Sequence, residues 1–308
     1  MICLRLSIAL RLRFVLRMLT SHLVIALVAL VVVGGATRVM EAGLACPDWP
    51  LCYGVFLPGR QMNLQVFLEW FHRLDAFLVG LALLALLAIS LWRRQELPFW
   101  LPWAACLAVV LVAVQGALGA LTVTHLLASP TVTAHLATAL LLVLFMSGVD
   151  QCLAGGDPRL APPVWWVPLP LISLGLVFSQ CVLGGAMASQ WAVDHCLSAG
   201  DQCDWLLRHR QLAMPAALAV VTLAGSSLCS GAIDPLLRML SLGAASFVGL
   251  QMALGVLTLR WQLQVPSLTI AHQLVAALLV ALLGAICGRT LYAWLRRPAS
   301  SSLEVSCG

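Results

Sequence analysis

Residues 76–92 read AFLVGLALLALLAISLW, a run without a charged side chain that lies between Asp75 and Arg93. Spanning the hydrocarbon core of a bilayer takes about 20 predominantly apolar residues, so this stretch predicts a transmembrane helix. The whole chain of 308 residues has the same character, with 62% hydrophobic residues, 9% charged residues and a mean hydropathy of +1.00. Soluble domains carry about 25% charged residues. The composition therefore excludes a soluble protein and predicts an integral membrane protein in a lipid bilayer.

Eight apolar stretches of this kind occur along the chain, and they would use roughly 160 residues as spans. Too few residues then remain for a separate soluble domain. The first stretch is not a cleavable signal peptide, because no small-residue cleavage site follows it. The sequence therefore predicts an all-α fold with eight transmembrane helices. The predicted spans are about 22–36, 70–91, 101–123, 131–149, 165–187, 209–229, 237–258 and 268–288.

The arginines indicate the orientation of these helices. The net charge is +5, and all the basic side chains counted in it are arginines because the chain has no lysine. Arginines scattered at span ends are topology signals and give no reason to expect nucleic-acid binding. They concentrate in the N-terminal tail 1–20, in the loop after the second span and in the C-terminal tail 291–308. The positive-inside rule therefore predicts that both termini are cytoplasmic and that the loops 38–69 and 189–208 are outside. We expect the protein in the inner (plasma) membrane. The tail after Pro298 is predicted to be disordered.

The two halves of the chain repeat each other in glycine, cysteine and histidine. Residues 21–150 and 164–290 are therefore predicted to form two pseudo-symmetric four-helix bundles. The histidines within each half are 63 residues apart, and the glycine doublet recurs after 150 residues. The repeated positions are Gly34-Gly35 and Gly184-Gly185, Leu118–Thr122 and Leu254–Thr258, His72 and His209, and His135 and His272.

Four histidines lie a few residues inside spans that enter from the outer face: His72, His135, His209 and His272. An ionisable residue inside a span is costly and usually functional, although a single one can be an interfacial histidine bonded to the backbone. The second and fourth helices run in the same direction, as do the sixth and eighth, so each pair can face each other. Two opposed imidazoles suit a haem iron better than zinc, which would need further protein ligands. The sequence therefore predicts two haem sites with these four metal ligands.

Charged residues next to the histidines distinguish the two sites. Glu69 precedes His72 by three residues and shares its helix face, whereas Leu206 occupies the matching position in the second half. This difference suggests that the first site does chemistry and the second holds a permanent cofactor, unless Glu69 only caps the helix. Arg73 and Arg210 each follow a histidine directly, where they could bind haem propionates or anchor the helix.

Four of the eleven cysteines fall in the outer loops: Cys46, Cys52, Cys196 and Cys203. Thiols outside the cytoplasm tend to oxidise, and four of them permit three connectivities. The repeat favours the local pairs Cys46–Cys52 and Cys196–Cys203. A structural disulfide is the ordinary interpretation, and a redox-active pair is the alternative.

Taken together, these motifs resemble the haem A synthase family, the membrane enzymes that complete haem for cytochrome oxidase. The likeness covers about residues 20–290. It is carried by Gly34-Gly35-Ala36-Thr37-Arg38, by Cys46-Pro47-Asp48-Trp49-Pro50-Leu51-Cys52-Tyr53-Gly54, by Glu69-Trp70-Phe71-His72-Arg73, by Leu121-Thr122-Val123-Thr124 with His135, and by His209 with His272.

The resemblance implies an oxidoreductase that converts the C8 methyl group of haem O to a formyl group by successive hydroxylations. The N-terminal half would take haem O as substrate, with Glu69, His72 and His135 as the catalytic residues. The C-terminal half would hold haem b on His209 and His272. Haem O synthase, the farnesyltransferase of the same pathway, is the implied partner.

By the same resemblance, the outer Cys46 and Cys52 would be the family's functional pair, and Cys196 and Cys203 would be a second disulfide found in some members. Two other functions compete on the residues alone. A di-haem b-type electron-transfer protein would explain the histidines, but it leaves Glu69 and the outer cysteines unexplained. It also tends to place haems near both membrane faces. A membrane thiol oxidase would explain Cys46 and Cys52 but has no use for four intramembrane histidines. A monomer and a homo-oligomer would present the same apolar outer faces.

Overall fold

The computed structural model describes residues 2–156, 160–189, 194–196, 198, 203–231 and 233–297, with the side chains of residues 2–10 excepted. Within these ranges the long elements are all α-helices and no β-strand forms. Eight of the helices are long and apolar enough to cross a membrane, which confirms the all-α prediction and the eight predicted spans. The tail after Pro298, predicted to be disordered, lies outside the described residues.

The eight helices are joined by short connections apart from the segments between the first and second and between the fifth and sixth. Both of these segments carry a disulfide, and we call the side of the molecule where they lie the disulfide face. The helices are α1 (Ile2–Val39), α2 (Leu64–Trp92), α3 (Leu101–Thr124), α4 (Ser129–Ala154), α5 (Pro168–Met187), α6 (Asp204–Cys229), α7 (Pro235–Arg260) and α8 (Pro266–Leu295).

Local sequence sets where the helices begin. The side chain of Asn63 accepts a hydrogen bond from the backbone N–H of Val66 at the start of α2, and Asp234 does the same for Leu236 at the start of α7. Proline stands in the first turn of α3, α4, α5, α7 and α8. A proline there is well tolerated because the first-turn N–H groups have no partner within the helix.

The N-terminal tail is helical and continuous with the first span. Residues 1–20 are predicted to be a cytoplasmic tail, and α1 runs through them without interruption from Ile2 to Val39. The chain has no glycine or proline before Gly34, and its leucines and arginines favour helix. The helix therefore continues well beyond the apolar stretch.

Helices α4 and α8 lie at the centre and share the most extensive helix–helix interface. Glycines allow their backbones to approach closely there. A Cβ on Gly284 would stand 2.5 Å from the carbonyl oxygen of Leu144, and one on Gly288 would stand 2.5 Å from that of Gly148. Small residues are typical of such contacts, because helix association within lipid depends on close packing.

The other helices surround this centre in the same pattern in both halves. In the first half α1 contacts α2 and α4, and α3 contacts α2 and α4; in the second half α5 contacts α6 and α8, and α7 contacts α6 and α8. Between the halves α1 contacts α8, and α5 contacts α4. Each half thus encloses one pair of predicted histidine ligands.

The end of the molecule opposite the disulfide face is held by polar contacts. Arg289 of α8 donates to the carboxylate of Asp234 at 2.5 Å and to the carbonyl oxygen of Gly155 at 2.8 Å. Asp150 of α4 accepts a hydrogen bond of 2.8 Å from the hydroxyl of Thr20 on α1. These contacts fix the central helices relative to their neighbours at that end.

Candidate functional site

Each of the four predicted histidine ligands packs against a glycine of the preceding helix. The histidines lie near the starts of α2, α4, α6 and α8, so all four are close to the disulfide face. A Cβ at the glycine would crowd the Cε1 atom of the ring, so any side chain at that position would displace the imidazole. The pairs, with the distance from that Cβ position to Cε1, are Gly34 and His72 (2.9 Å), Gly119 and His135 (3.3 Å), Gly184 and His209 (2.9 Å), and Gly255 and His272 (3.1 Å).

The second glycine of each repeated doublet faces the other half. A Cβ on Gly35 would overlap the side chain of Gln273 on α8, and one on Gly185 would stand 2.6 Å from Leu136 on α4. Gln273 and Leu136 each follow a predicted ligand directly. The doublets therefore place α1 and α5 against a histidine of their own half and against a central helix of the other half.

The imidazoles of His72 and His135 face each other across the first half. Their ring centroids are 6.4 Å apart and their planes lie at 77°. One metal ion bound by both rings, with metal–nitrogen bonds of about 2 Å, requires centroids about 6 Å apart. The spacing thus fits one iron between the two rings. In the second half His209 and His272 are close enough to interact electrostatically.

The described residues contain no cluster of three or more His, Cys, Asp or Glu side chains able to bind a metal ion. A porphyrin supplies four of the ligands of its own iron, so two histidines suffice for haem but not for zinc. The donor set therefore fits haem.

The Nδ1 atoms of all four histidines are buried and have no hydrogen-bond partner of normal geometry. Each ring instead faces the backbone of the residue four positions before its glycine. In metal sites one ring nitrogen commonly donates to a backbone carbonyl, which fixes the tautomer and leaves the other nitrogen for the metal. The backbone that faces the rings of His72, His135, His209 and His272 is that of Leu30, Gln115, Gln180 and Gln251, in this order.

Three of these positions carry a glutamine, and the sequence analysis missed them. Their amide nitrogens lie 3.4, 3.3 and 3.2 Å from the Nε2 atoms of the corresponding histidines. Gln115 and Gln180 also donate to the backbone carbonyl of the same histidine, at 2.9 and 2.8 Å. The spacing Gln-x-x-x-Gly, found at Gln115, Gln180 and Gln251, was an available signal.

Glu69 is buried near the start of α2 and holds the loop of the first disulfide. Its carboxylate accepts hydrogen bonds from the backbone N–H of Cys46 at 2.8 Å and from the guanidinium of Arg73 at 2.5 Å. The suggestion that Glu69 only caps α2 is wrong, because Asn63 caps that helix. Leu206 at the matching position offers no carboxylate.

The two arginines next to the histidines differ in their surroundings. Arg73 is largely buried and donates to the carbonyl oxygens of Asp48 at 2.6 Å and Leu51 at 2.5 Å, besides its ion pair with Glu69. Arg210 is exposed at the disulfide face. The first half therefore has a charged network between α2 and its outer loop.

Both disulfides that the repeat favoured are present. Cys46–Cys52 and Cys196–Cys203 have Cα–Cα distances of 4.8 and 4.9 Å, within the usual range for disulfides. Cys46 and Cys52 are buried and pack with Val66 of α2. Cys203 instead caps α6 directly, accepting from the backbone N–H of Leu206.

The fold and these contacts define a class: a multi-pass membrane protein with two pairs of intramembrane histidines, one of them a facing pair beside a buried carboxylate. Residues 17–283 match the family of cytochrome oxidase assembly proteins designated COX15-CtaA. The chain belongs to this family.

Three relatives illustrate the similarity. A Heme A synthase of Shewanella oneidensis is 32% identical over 187 residues, which cover 54% of each chain, so this match spans about half of that relative. A Heme A synthase of Sphingopyxis alaskensis is 28% identical over 321 residues, covering 85% of this chain and 88% of that protein. A Protoheme IX farnesyltransferase of Haloarcula marismortui is 37% identical over 95 residues, covering 31% of this chain and 19% of that protein.

Proposed function

We propose that this chain is a haem A synthase, an oxidoreductase that converts the C8 methyl group of haem O to a formyl group. Family membership and the names of its relatives support this activity. The observation that carries it is the asymmetry of the sites. The facing pair His72 and His135 has the buried Glu69 one helix turn away, whereas the second pair has Leu206 in that place.

The two sites then have different tasks. His72 and His135 bind the iron of haem O and so fix the position of its porphyrin edge. His209 and His272 would hold haem b, which would supply one-electron redox chemistry there. The surrounding apolar helices exclude bulk water from both sites, which strengthens the electrostatic interactions within them.

Glu69 and Arg73 are the groups proposed to act on the substrate side. Each hydroxylation inserts one oxygen atom into a C–H bond of the methyl group. With dioxygen as the oxidant, the other oxygen atom leaves as water after taking up two electrons and two protons from a reductant outside the chain. The second hydroxylation gives a geminal diol that loses water to form the aldehyde. Both oxygens of Glu69 accept a hydrogen bond and keep a lone pair, so the carboxylate can take and return a proton while Arg73 fixes its orientation.

We further propose the membrane, the orientation and the partner. Disulfides form outside the cytoplasm, and the arginine-rich ends lie opposite the disulfide face, so both termini would be cytoplasmic in a plasma membrane. The relative named as a farnesyltransferase contains a segment similar to this chain, which supports haem O synthase as the enzyme that delivers the substrate.

The test is pigment analysis in a host that makes haem O, with and without this chain. Haem A or its hydroxylated precursor should appear only when the chain is present. If folded, haem-loaded protein yields haem B and haem O alone, even when a reductant and oxygen are supplied, the proposed reaction is wrong.

Replacing Glu69 by glutamine tests the catalytic assignment. Glu69→Gln keeps the size of the side chain and a hydrogen-bond acceptor for Cys46, but it removes the charge. We expect haem b content to be unchanged and haem A output to fall at least 100-fold, the scale of losing a general acid–base group. Unchanged output would overturn the role of Glu69. Glu41→Gln, in the outer loop, is the matched control and should have no effect.

A further inference from the structure

We propose that the residue one helix turn before each glycine decides which haem the protein retains and which it exchanges. Gln115, Gln180 and Gln251 hold their histidines as positioning residues, and Leu30 leaves His72 as the ligand that releases. This inference rests on the proposed function, because it concerns the passage of haem O into the first site and of product out of it.

The glutamine contact connects two helices at the level of the ligand. Gln180 of α5 faces the ring of His209 with its backbone carbonyl and donates from its amide to the backbone carbonyl of His209 at 2.8 Å. The same amide nitrogen is 3.3 Å from Nε2 of the ring. Gln115 makes the equivalent contacts with His135. Iron bound at Nε2 would displace the amide from that nitrogen, so the bond to the backbone carbonyl is the one that still holds the histidine when haem is present. A histidine tied to the neighbouring helix in this way can move its ring less freely.

Leu30 cannot make this contact. It occupies the position of Gln180 in the repeat and is buried, but its side chain has no donor. The ring of His72 therefore meets only the backbone of Leu30 at this position. Glu69 and Arg73 lie in the same helix turns as His72, but their side chains hydrogen-bond to the loop of the first disulfide.

A bis-histidine site opens through its weaker ligand. In the proposed function haem b is a permanent group, and Gln180 ties its ligand His209 to the neighbouring helix. The substrate site must release product after each turnover, and its ligand His72 has no such tie. Gln115 holds His135, so opening occurs on the His72 side. That is also the side on which Glu69 lies, one turn along α2. The protein would thus combine ligand release and proton handling in one helix.

The experiment measures haem release from each site without turnover. Purified protein in detergent, with haem b in the second site and haem O loaded into the first, is mixed with excess apomyoglobin as acceptor. Transfer of each haem is followed by its absorption band and by extraction at fixed times. The low-spin electron paramagnetic resonance signal reports ligand geometry independently of the transfer rate.

Two substitutions reverse the difference between the sites: one removes the glutamine amide from the second site and the other adds an amide to the first. Gln180→Met keeps the length of the side chain but removes the amide, and we expect haem b to be lost at least tenfold faster with a broadened low-spin signal. Leu30→Gln adds the amide, and we expect haem O to be released at least fivefold more slowly with haem b unaffected. Leu30→Met is the control of matched size and should behave as the wild type.

A Gln180→Met protein with wild-type transfer rate and spectrum would overturn the proposal. Slowing by Leu30→Met as strong as that by Leu30→Gln would also overturn it, because packing alone would then explain the effect. Gln251→Met tests the second ligand of haem b should Leu30→Gln fail to fold. Haem transfer to apomyoglobin can be measured without turnover. Protein that binds both haems but never forms haem A would therefore refute the proposed function, and the transfer rates would still test the proposal on Leu30.

Discussion

Replacing Gly184 by alanine tests whether the glycine contacts set the position of the histidine ligands. The added Cβ would stand 2.9 Å from Cε1 of His209, about 0.6 Å inside the optimal carbon–carbon separation of about 3.5 Å. Metal–ligand distances tolerate only about 0.2 Å, so the ring could not move by this amount and keep the proposed bond to a haem iron. Without haem the ring can rotate away, so the strain falls mainly on the haem-bound state.

The expected magnitude follows from the strain in the haem-bound state. Overpacking a well-packed site costs about 1–3 kcal/mol. The gain of about 1 kcal/mol from replacing glycine by alanine within a helix is present with and without haem, so it affects unfolding and not haem binding. A strain of about 2 kcal/mol corresponds to roughly 30-fold weaker haem binding. Gly175→Ala on the same helix is the control, because a Cβ there meets no atom within 4 Å.

The assay is haem b content per protein, read from the absorption of the reduced pyridine complex, together with thermal unfolding of the protein in detergent. Gly184→Ala should lose haem b at limiting haem concentration, and Gly175→Ala should retain it with equal or higher thermal stability. Full haem b occupancy and an unchanged titration in Gly184→Ala would refute the claim that this glycine positions His209.

Two further substitutions test how the halves are held together. Gly288→Ala should destabilise the whole protein and lower the occupancy of both proposed haem sites, because its Cβ would meet the backbone of Gly148 at 2.5 Å. Thermal unfolding and total haem content measure this effect, and loss of haem from one site alone would contradict it. Asp234→Asn should lower the unfolding free energy by about 3 kcal/mol, because it leaves the nearly buried Arg289 without its charged partner. An unfolding midpoint within 1 °C of wild type would contradict this, and Glu96→Gln in the more exposed pair Arg93–Glu96 is the control.

Much of this fold is predictable because the bilayer constrains it so strongly. Eight apolar stretches can cross lipid only as helices, and the repeated histidines mark where two of their faces must meet. The local disulfides followed from the repeat as well. The start of α1 was harder, because a helix that continues past the apolar stretch into residues 2–20 leaves no mark in hydropathy.

The glutamines and the partners of Glu69 were not predictable in the same way. Whether Gln180 faces His209 depends on the rotation of α5 relative to α6, and no pattern within one helix fixes that rotation. The contact between Glu69 and Cys46 depends on how the loop of the first disulfide folds back on α2. Such contacts join residues distant in the chain, so periodicity alone does not indicate them.

The differences between the halves concentrate in a single helix pair. Helices α3–α4 and α7–α8 both carry the glutamine–histidine contact, so they do not distinguish the sites. Helices α1–α2 differ from α5–α6 at Leu30 and at Glu69. Placing a glutamate at Leu206 would not by itself recreate the first site, because Cys203 sits at the very start of α6, whereas residues 53–63 separate Cys52 from α2. Only the longer segment lets the disulfide loop return to the helix and donate its backbone N–H to the acid. The proposed chemistry therefore depends on loop length as much as on the carboxylate.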